Sequence, residues 1–203
     1  MAGEFLVTVG DAAQLPDLLK GEFLKGNRQP RIAMVGRSNV GKSSLINALI
    51  GGRLAQVSNE PGKTRKIHFY LWKEAARIIA DLPGFGYART SHDERNRWAE
   101  FIRAYLDADE NLERAFMLLD SRHGPTELDA EAIRFLSLNA IPVTFIFTKV
   151  DTLKTQSERA SRRKAASLAL RQLGFDPEGA FWVSSRSKEG LHLLIRELGA
   201  GRS

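Results

Sequence analysis

Eight residues, GRSNVGKS, run from Gly36 to Ser43 and match G-x-x-x-x-G-K-[ST] in full. Glycines at 36 and 41 let the backbone N–H groups of Arg37, Ser38, Asn39 and Val40 turn inward around an anion. Lys42 can reach the β- and γ-phosphates of a nucleotide, and Ser43 offers a hydroxyl to Mg²⁺. A glycine-rich turn without a ligand is the bland alternative. Context argues against it, because the apolar run RIAMV precedes the loop and a helical SLINALI follows. The pattern implies a nucleoside polyphosphate.

Further groups follow in order. In DLPG, Asp81 closes an apolar run, where its carboxylate can hold Mg²⁺ directly or through water. Leu82 and Pro83 lead to Gly84, whose amide can meet a γ-phosphate with no side chain in the way. Between the two motifs lies SNEPGKTRKIHF, polar and rich in turn signals. Thr64 there is a second candidate hydroxyl for Mg²⁺, available while a γ-phosphate holds the loop closed; taken alone it reads better as an ordinary surface threonine. TKVD, Thr148 to Asp151, follows the apolar PVTFIF, and ligands of open α/β sheets bind at such strand ends. Asp151 can accept from guanine N1–H and the N2 amino group together, a donor pair adenine lacks. The stem of Lys149 can lie across the base, with Val150 between them. Val183, Ser184 and Ser185 follow the last apolar run and can aim a backbone N–H at guanine O6.

Placing these groups needs a frame of alternating strands and helices. Apolar runs at 31–35, 67–72, 77–80, 114–119, 142–147 and 180–184 read as strands of a largely parallel sheet in an α/β domain. EFLVTV near the start adds a candidate edge strand. Helices are expected at 42–50, over SHDERNRWAEFIRAYLDAD, from Thr126 with its TELD capping pattern, through the basic segment 154–171, and over 189–198. The runs 67–72 and 77–80 are joined only by KEAA, so they should form a hairpin with one antiparallel strand. Residues 1–30 are read as an N-terminal extension and 31–203 as one domain.

Composition narrows the classes. With 203 residues, 43% hydrophobic and 27% charged, the chain can bury a sizeable core. It has no cysteine, which excludes disulfides and thiolate metal sites. His68, His92, His123 and His192 show no ligand spacing, so zinc is not expected. The N-terminus does not read as a signal peptide, and no apolar run approaches the ~18 residues of a membrane span. A cytoplasmic monomer without stable membrane association is expected. The net charge of +6 favours acidic partners, and residues 154–171 hold six Lys or Arg against one Glu. That segment reads equally as a solvated helix face or a binding face.

GRSNVGKSSLIN, PGKTR, DLPGFGYA, TKVD and the late VSS together resemble the EngB (YihA/YsxC-type) GTPases of the TRAFAC class, over roughly residues 5–199. The resemblance implies a Ras-like P-loop G domain, three layers deep, with a mostly parallel central sheet, one antiparallel strand and helices on both faces. It implies GTP or GDP as ligand, Mg²⁺ on Ser43 and Thr64, and a role in assembly of the large ribosomal subunit, linked with cell division and septation. Phosphate contacts fall on Gly36–Ser43, on Gly62, Lys63, Thr64, Arg65 and Lys66, and on Asp81–Gly84. Guanine contacts fall on Thr148–Asp151 and Val183–Ser185. Thr148 stands where the wider class usually has asparagine.

Phe85 raises the question of turnover. Many nucleotide switches carry a glutamine here that orients the attacking water, and phenylalanine has no such group. The resembling family also places a hydrophobic residue at this position. Lys42, Thr64, Gly84 and Asn39 are the candidate catalytic groups. Asn39 matches an asparagine that ligates K⁺ in related cation-dependent GTPases; its alternative is a hydrogen bond that shapes the loop. A ribosomal partner, or Arg89 in the segment after Phe85, is the other route. Trp98 reads as packing, whereas Phe85 and Tyr87 suit either packing or docking. Slow turnover in isolation is expected. The other readings are a recruitment module with negligible hydrolysis and an ATP-dependent enzyme, against which TKVD argues.

Overall fold

The protein is described from a computed structural model over residues 3–20, 29–55, 66–86 and 92–199. Gly62, Lys63, Thr64, Arg65, Tyr87 and Arg89 lie outside these residues.

Seven strands form one sheet: β1 (Glu4–Val9), β2 (Arg31–Gly36), β3 (Ile67–Trp72), β4 (Arg77–Asp81), β5 (Leu112–Asp120), β6 (Val143–Thr148) and β7 (Phe181–Trp182). Their order is β1-β3-β4-β2-β5-β6-β7. Only β3 runs against the others, pairing antiparallel with both β1 and β4. All remaining pairings are parallel. The segment EFLVTV, the candidate edge strand, forms β1 at the edge of the sheet.

Alternation along the central strands builds two cores. Ala33 and Val35 of β2, with Ala115, Met117 and Leu119 of β5, face one side. Ile32 and Met34, with Phe116 and Leu118, face the other. A strand buried on both faces needs apolar residues at both parities, which is why β2 and β5 read as unbroken apolar runs. The first face is covered by α1 (Leu15–Lys20), α3 (His92–Ala108), α4 (Glu127–Leu138) and α5 (Gln156–Gln172), through Leu15, Ile102, Tyr105, Ile133 and Leu170. The second is covered by α2 (Lys42–Ile50) and α6 (Leu191–Gly199), through Leu45, Ile46, Leu49, Leu194 and Leu198. Helices on both faces of a mostly parallel sheet give three layers.

Local signals explain the boundaries. Thr126 and Asp129 form the capping box that opens α4. Thr155 accepts from the Glu158 N–H and starts α5 two residues later than the basic segment begins. Two features differ from the sequence expectation. A 3-10 turn (Ala12–Gln14) and α1 form where no helix was expected; six residues carry too little periodicity, and burial of Leu15 and Leu19 against the first core stabilises them. The last strand is only two residues long, because Ser184 turns away to bond the loop behind it.

Candidate functional site

Parallel strands joined by helices bring their C-terminal ends to one edge, and every described candidate group lies there. The phosphate cradle spans the turn from β2 into α2. Gly41 is the N-cap of α2 with φ of 106°, a left-handed conformation that side chains resist, and it offers no side chain to cap the helix. The first N–H groups of α2 therefore stay open to an anion. Gly36 is required by approach: a Cβ there would lie 2.9 Å from Val40 Cγ1 and 3.1 Å from Leu118 Cβ.

Asp81 ends β4, next to β2, and is 6% exposed. It pairs with the ammonium of Lys42, so the cradle's lysine and the carboxylate of DLPG already meet. Ser43 follows in the first turn of α2, partly open. Among the described residues no three acidic or histidine side chains converge on a point, so a cation here would depend on hydroxyls and on the ligand's phosphates. That donor set fits Mg²⁺, which commonly takes one or two carboxylates plus substrate phosphates. His68 faces Asp81 across the hairpin and pairs with Thr8 of β1 at 2.6 Å. Burial holds its pKa below the ordinary imidazole value, with the Asp81 charge opposing.

The stretch after Asp81 lies along the cradle. The Leu82 N–H donates to Met34 O at 3.3 Å, Ser38 N–H to Phe85 O at 2.9 Å, and Phe85 N–H to Gly36 O at 3.4 Å. The Phe85 ring meets Trp98 edge-on, with centroids 5.5 Å apart. It is packed against α3, on the apolar reading of this side chain. Lys66 is exposed at the start of β3.

The base-reading segment is tied to the cradle by two long-range bonds. Thr148 is 3% exposed, and its hydroxyl donates to Val40 O at 2.6 Å, with Leu119 O a further acceptor at 3.2 Å. Its side chain is thus engaged with backbone oxygens. Lys149, at φ of 60°, sends its ammonium to Asn39 O at 2.6 Å and to Asp120 Oδ2 at 3.0 Å. Burial pushes the Asp120 carboxyl up, but hydrogen bonds from Arg122 and Lys149 overcome this and hold it well below the usual carboxylate range. Asp151 accepts from the Ser184 hydroxyl at 2.7 Å, and Ser184 Oγ in turn accepts from the N–H groups of Arg186 and Ser187. Val183 N–H continues the ladder to Phe147 O, and Val150 N–H reaches Val183 O. Ser185 is partly exposed beside them.

Three contributors carry little sequence signal. Asp120 ends a strand at the same edge as Asp81 and Thr148, which is the one cue that marks it. Arg159 holds both carboxylate oxygens of Glu189 at 2.6 and 3.2 Å and also reaches Leu153 O and Val150 O, so one guanidinium braces both base-side loops. The Trp98 indole N–H donates to Pro83 O at 2.8 Å.

A family model described as "50S ribosome-binding GTPase" matches residues 31–149. The "Probable GTP-binding protein EngB" of Desulfovibrio desulfuricans is 42% identical over 176 residues, covering 86% of this chain and 84% of the relative. Its counterpart in Cytophaga hutchinsonii is 42% identical over 199 residues, covering 96% and 93%. A crystal structure of a probable GTP-binding protein engB superposes with a TM-score of 0.62 at 26% identity, covering 85% of this chain and all of that one. The structure of Aquifex aeolicus Era bound to GDP and AlF4⁻ shares the fold at a TM-score of 0.65 and 20% identity, covering 84% of this chain and 56% of Era. Fold and neighbours together define a P-loop G domain of the Ras-like type. Within that class, the chain belongs to the EngB family of GTP-binding proteins.

Proposed function

We propose that this protein is a GTP-hydrolysing switch that assists assembly of the large ribosomal subunit, and through it normal cell division and septation. The observation that carries the nucleotide part is the joining of base loop to phosphate cradle: Thr148 to Val40 and Lys149 to Asn39 make one receptor of two distant motifs. The Gly36–Ser43 loop holds the phosphates through the backbone N–H groups not already bonded within the fold, those of Ser38 and Val40 being given to Phe85 O and Arg37 O, together with Lys42 and the loop Gly62–Lys66. Asp151 accepts from guanine, the Lys149 stem covers the base, and the Val183–Ser185 segment supplies a backbone donor. Ser43 and Thr64 would hold Mg²⁺, with Asp81 acting through water; the ion would offset phosphate charge. On that reading Lys42, beside Asp81, serves the β- and γ-phosphates, and Gly84 donates its amide to the γ-phosphate.

The ribosomal part rests on the description of the matching family model. The basic α5 supplies a surface suited to rRNA phosphates. The protein acts in the cytoplasm as a monomer, and among the described residues no helix is long and apolar enough to cross a membrane.

Hydrolysis is slow in isolation, because Phe85 brings no hydrogen-bonding group to a water. K⁺ beside Asn39, or a group of the ribosomal partner, supplies the missing positive charge. Turnover measured in KCl and in NaCl, with and without large ribosomal subunits, tests this: both K⁺ and subunits should accelerate it, and equal rates in the two salts remove the K⁺ role. A second reading, recruitment by nucleotide exchange with negligible hydrolysis, draws on the packing of Phe85 against Trp98. Single-turnover measurement on the subunit-bound protein separates the two.

A further inference from the structure

We infer that Trp98 is a positioning residue for the γ-phosphate, acting by orienting the peptide that carries the Gly84 amide. This rests on the reading of Gly84 as a γ-phosphate donor. The Trp98 indole N–H, projecting from α3, donates to Pro83 O at 2.8 Å. Pro83 O and the Gly84 N–H are the two ends of one planar trans peptide and point in opposite directions. Holding the carbonyl toward α3 therefore aims the amide away from it. Among the described residues the Gly84 N–H meets no acceptor, so it is a free donor in a fixed direction.

The neighbourhood makes this bond decisive. On either side, the Leu82 and Phe85 amides are tied to Met34 O and Gly36 O, whereas the Pro83–Gly84 unit is held from the α3 side. Gly84 lies directly against the cradle: a Cβ on it would sit 3.0 Å from Ser38 Oγ, a buried hydroxyl with no partner among the described residues. The indole is itself seated by packing, edge-on to Phe85 at 5.5 Å and tilted against Phe135 at 6.5 Å. A carbonyl that accepts a bond also polarises its peptide and strengthens the N–H at the other end. Such a donor costs no reorganisation when the phosphate binds.

A diphosphate has no γ-phosphate to meet Gly84, so Trp98 should bear on the triphosphate alone. The test is calorimetric affinity for GDP and for a non-hydrolysable GTP analogue, in the wild type, in Trp98→Phe, and in a variant with benzothienylalanine at 98, which keeps the shape but has no N–H. Analogue affinity should fall about three- to tenfold in both variants, the range of one hydrogen bond, while GDP affinity changes less than about twofold. If Trp98→Phe fails to fold, the shape-preserving variant decides. Wild type that binds neither nucleotide overturns the guanine-nucleotide reading itself. Wild type that binds both, with variants unchanged or weakened equally for the two, overturns only the role given to Trp98.

Discussion

Thr148 replaces the side-chain amide usual in the wider class, and a hydroxyl has one proton to give. It gives that proton to Val40 O, so in the proposed function base recognition falls to its neighbours. On the proposed guanine reading, Asp151 is then the main discriminator, with Oδ1 held by the Ser184 hydroxyl. Asp151→Asn should weaken GDP binding by about 10²–10⁴-fold, the loss of two charge-assisted bonds at roughly 1.5–3 kcal/mol each. It should spare xanthosine diphosphate, whose C2 oxygen can accept from the new amide; calorimetry with both ligands checks it. Asp120 makes a pH prediction. Its folded pKa lies below the unfolded value, so its stabilisation is full above about pH 4 and is lost as pH falls through the folded pKa. Asp120→Asn should lower Tm by about 3–6 °C at pH 7, with the gap closing in strong acid, as scanning calorimetry against pH would record.

Between residue and domain, loops and helices brace one another. Helix α5 carries Arg159, whose guanidinium spans the loop after β6 and the Glu189 turn before α6. The Arg163 guanidinium lies 5.1 Å over Trp182, which stacks on Phe147, so the same helix also supports the strand that leads into Val183–Ser185. Arg159→Ala should weaken GDP and GTP by the same factor and leave the single-turnover hydrolysis rate unchanged, because it loosens the base side alone. Fluorescent-nucleotide displacement with rapid-quench kinetics would show the split. The Arg159–Glu189 pair lies at the surface, with side chains 28% and 40% exposed, so little global stability rides on it. These braces left no trace in the periodicity: an arginine on a basic helix reads equally as solvated or as part of a binding face until Glu189, 30 residues away, is seen beside it.

Taken whole, the molecule concentrates its ligand groups at one edge of the sheet and carries positive charge on a flanking helix. Arg162 and Lys164 are exposed on α5, whereas Arg163 is occupied by Trp182. Binding to ribosomal RNA through three phosphate contacts should give a log–log salt slope of about −2 to −3, and more contacts a steeper one. The double substitution Arg162→Glu with Lys164→Glu should flatten that slope and leave nucleotide affinity alone. Filter binding of large subunits across KCl concentrations measures both, and salt-independent docking would point to a protein interface instead.

Motif identity, strand positions and the capping box of α4 were determined by the sequence alone, since each depends on neighbours within a few residues. The runs at 31–35 and 114–119 read as strands from their apolar residues, but their central place in the sheet was decided by the pairings. The tertiary structure decided what touches across distance. Thr148 and Val40 are 108 residues apart, Lys149 and Asn39 110, and they meet because β2, β5 and β6 lie side by side in parallel. Which hydroxyl serves as a tether, which carboxylate is clasped and which indole turns a peptide follow from that strand order, and strand order is set by packing of whole faces rather than by local preference.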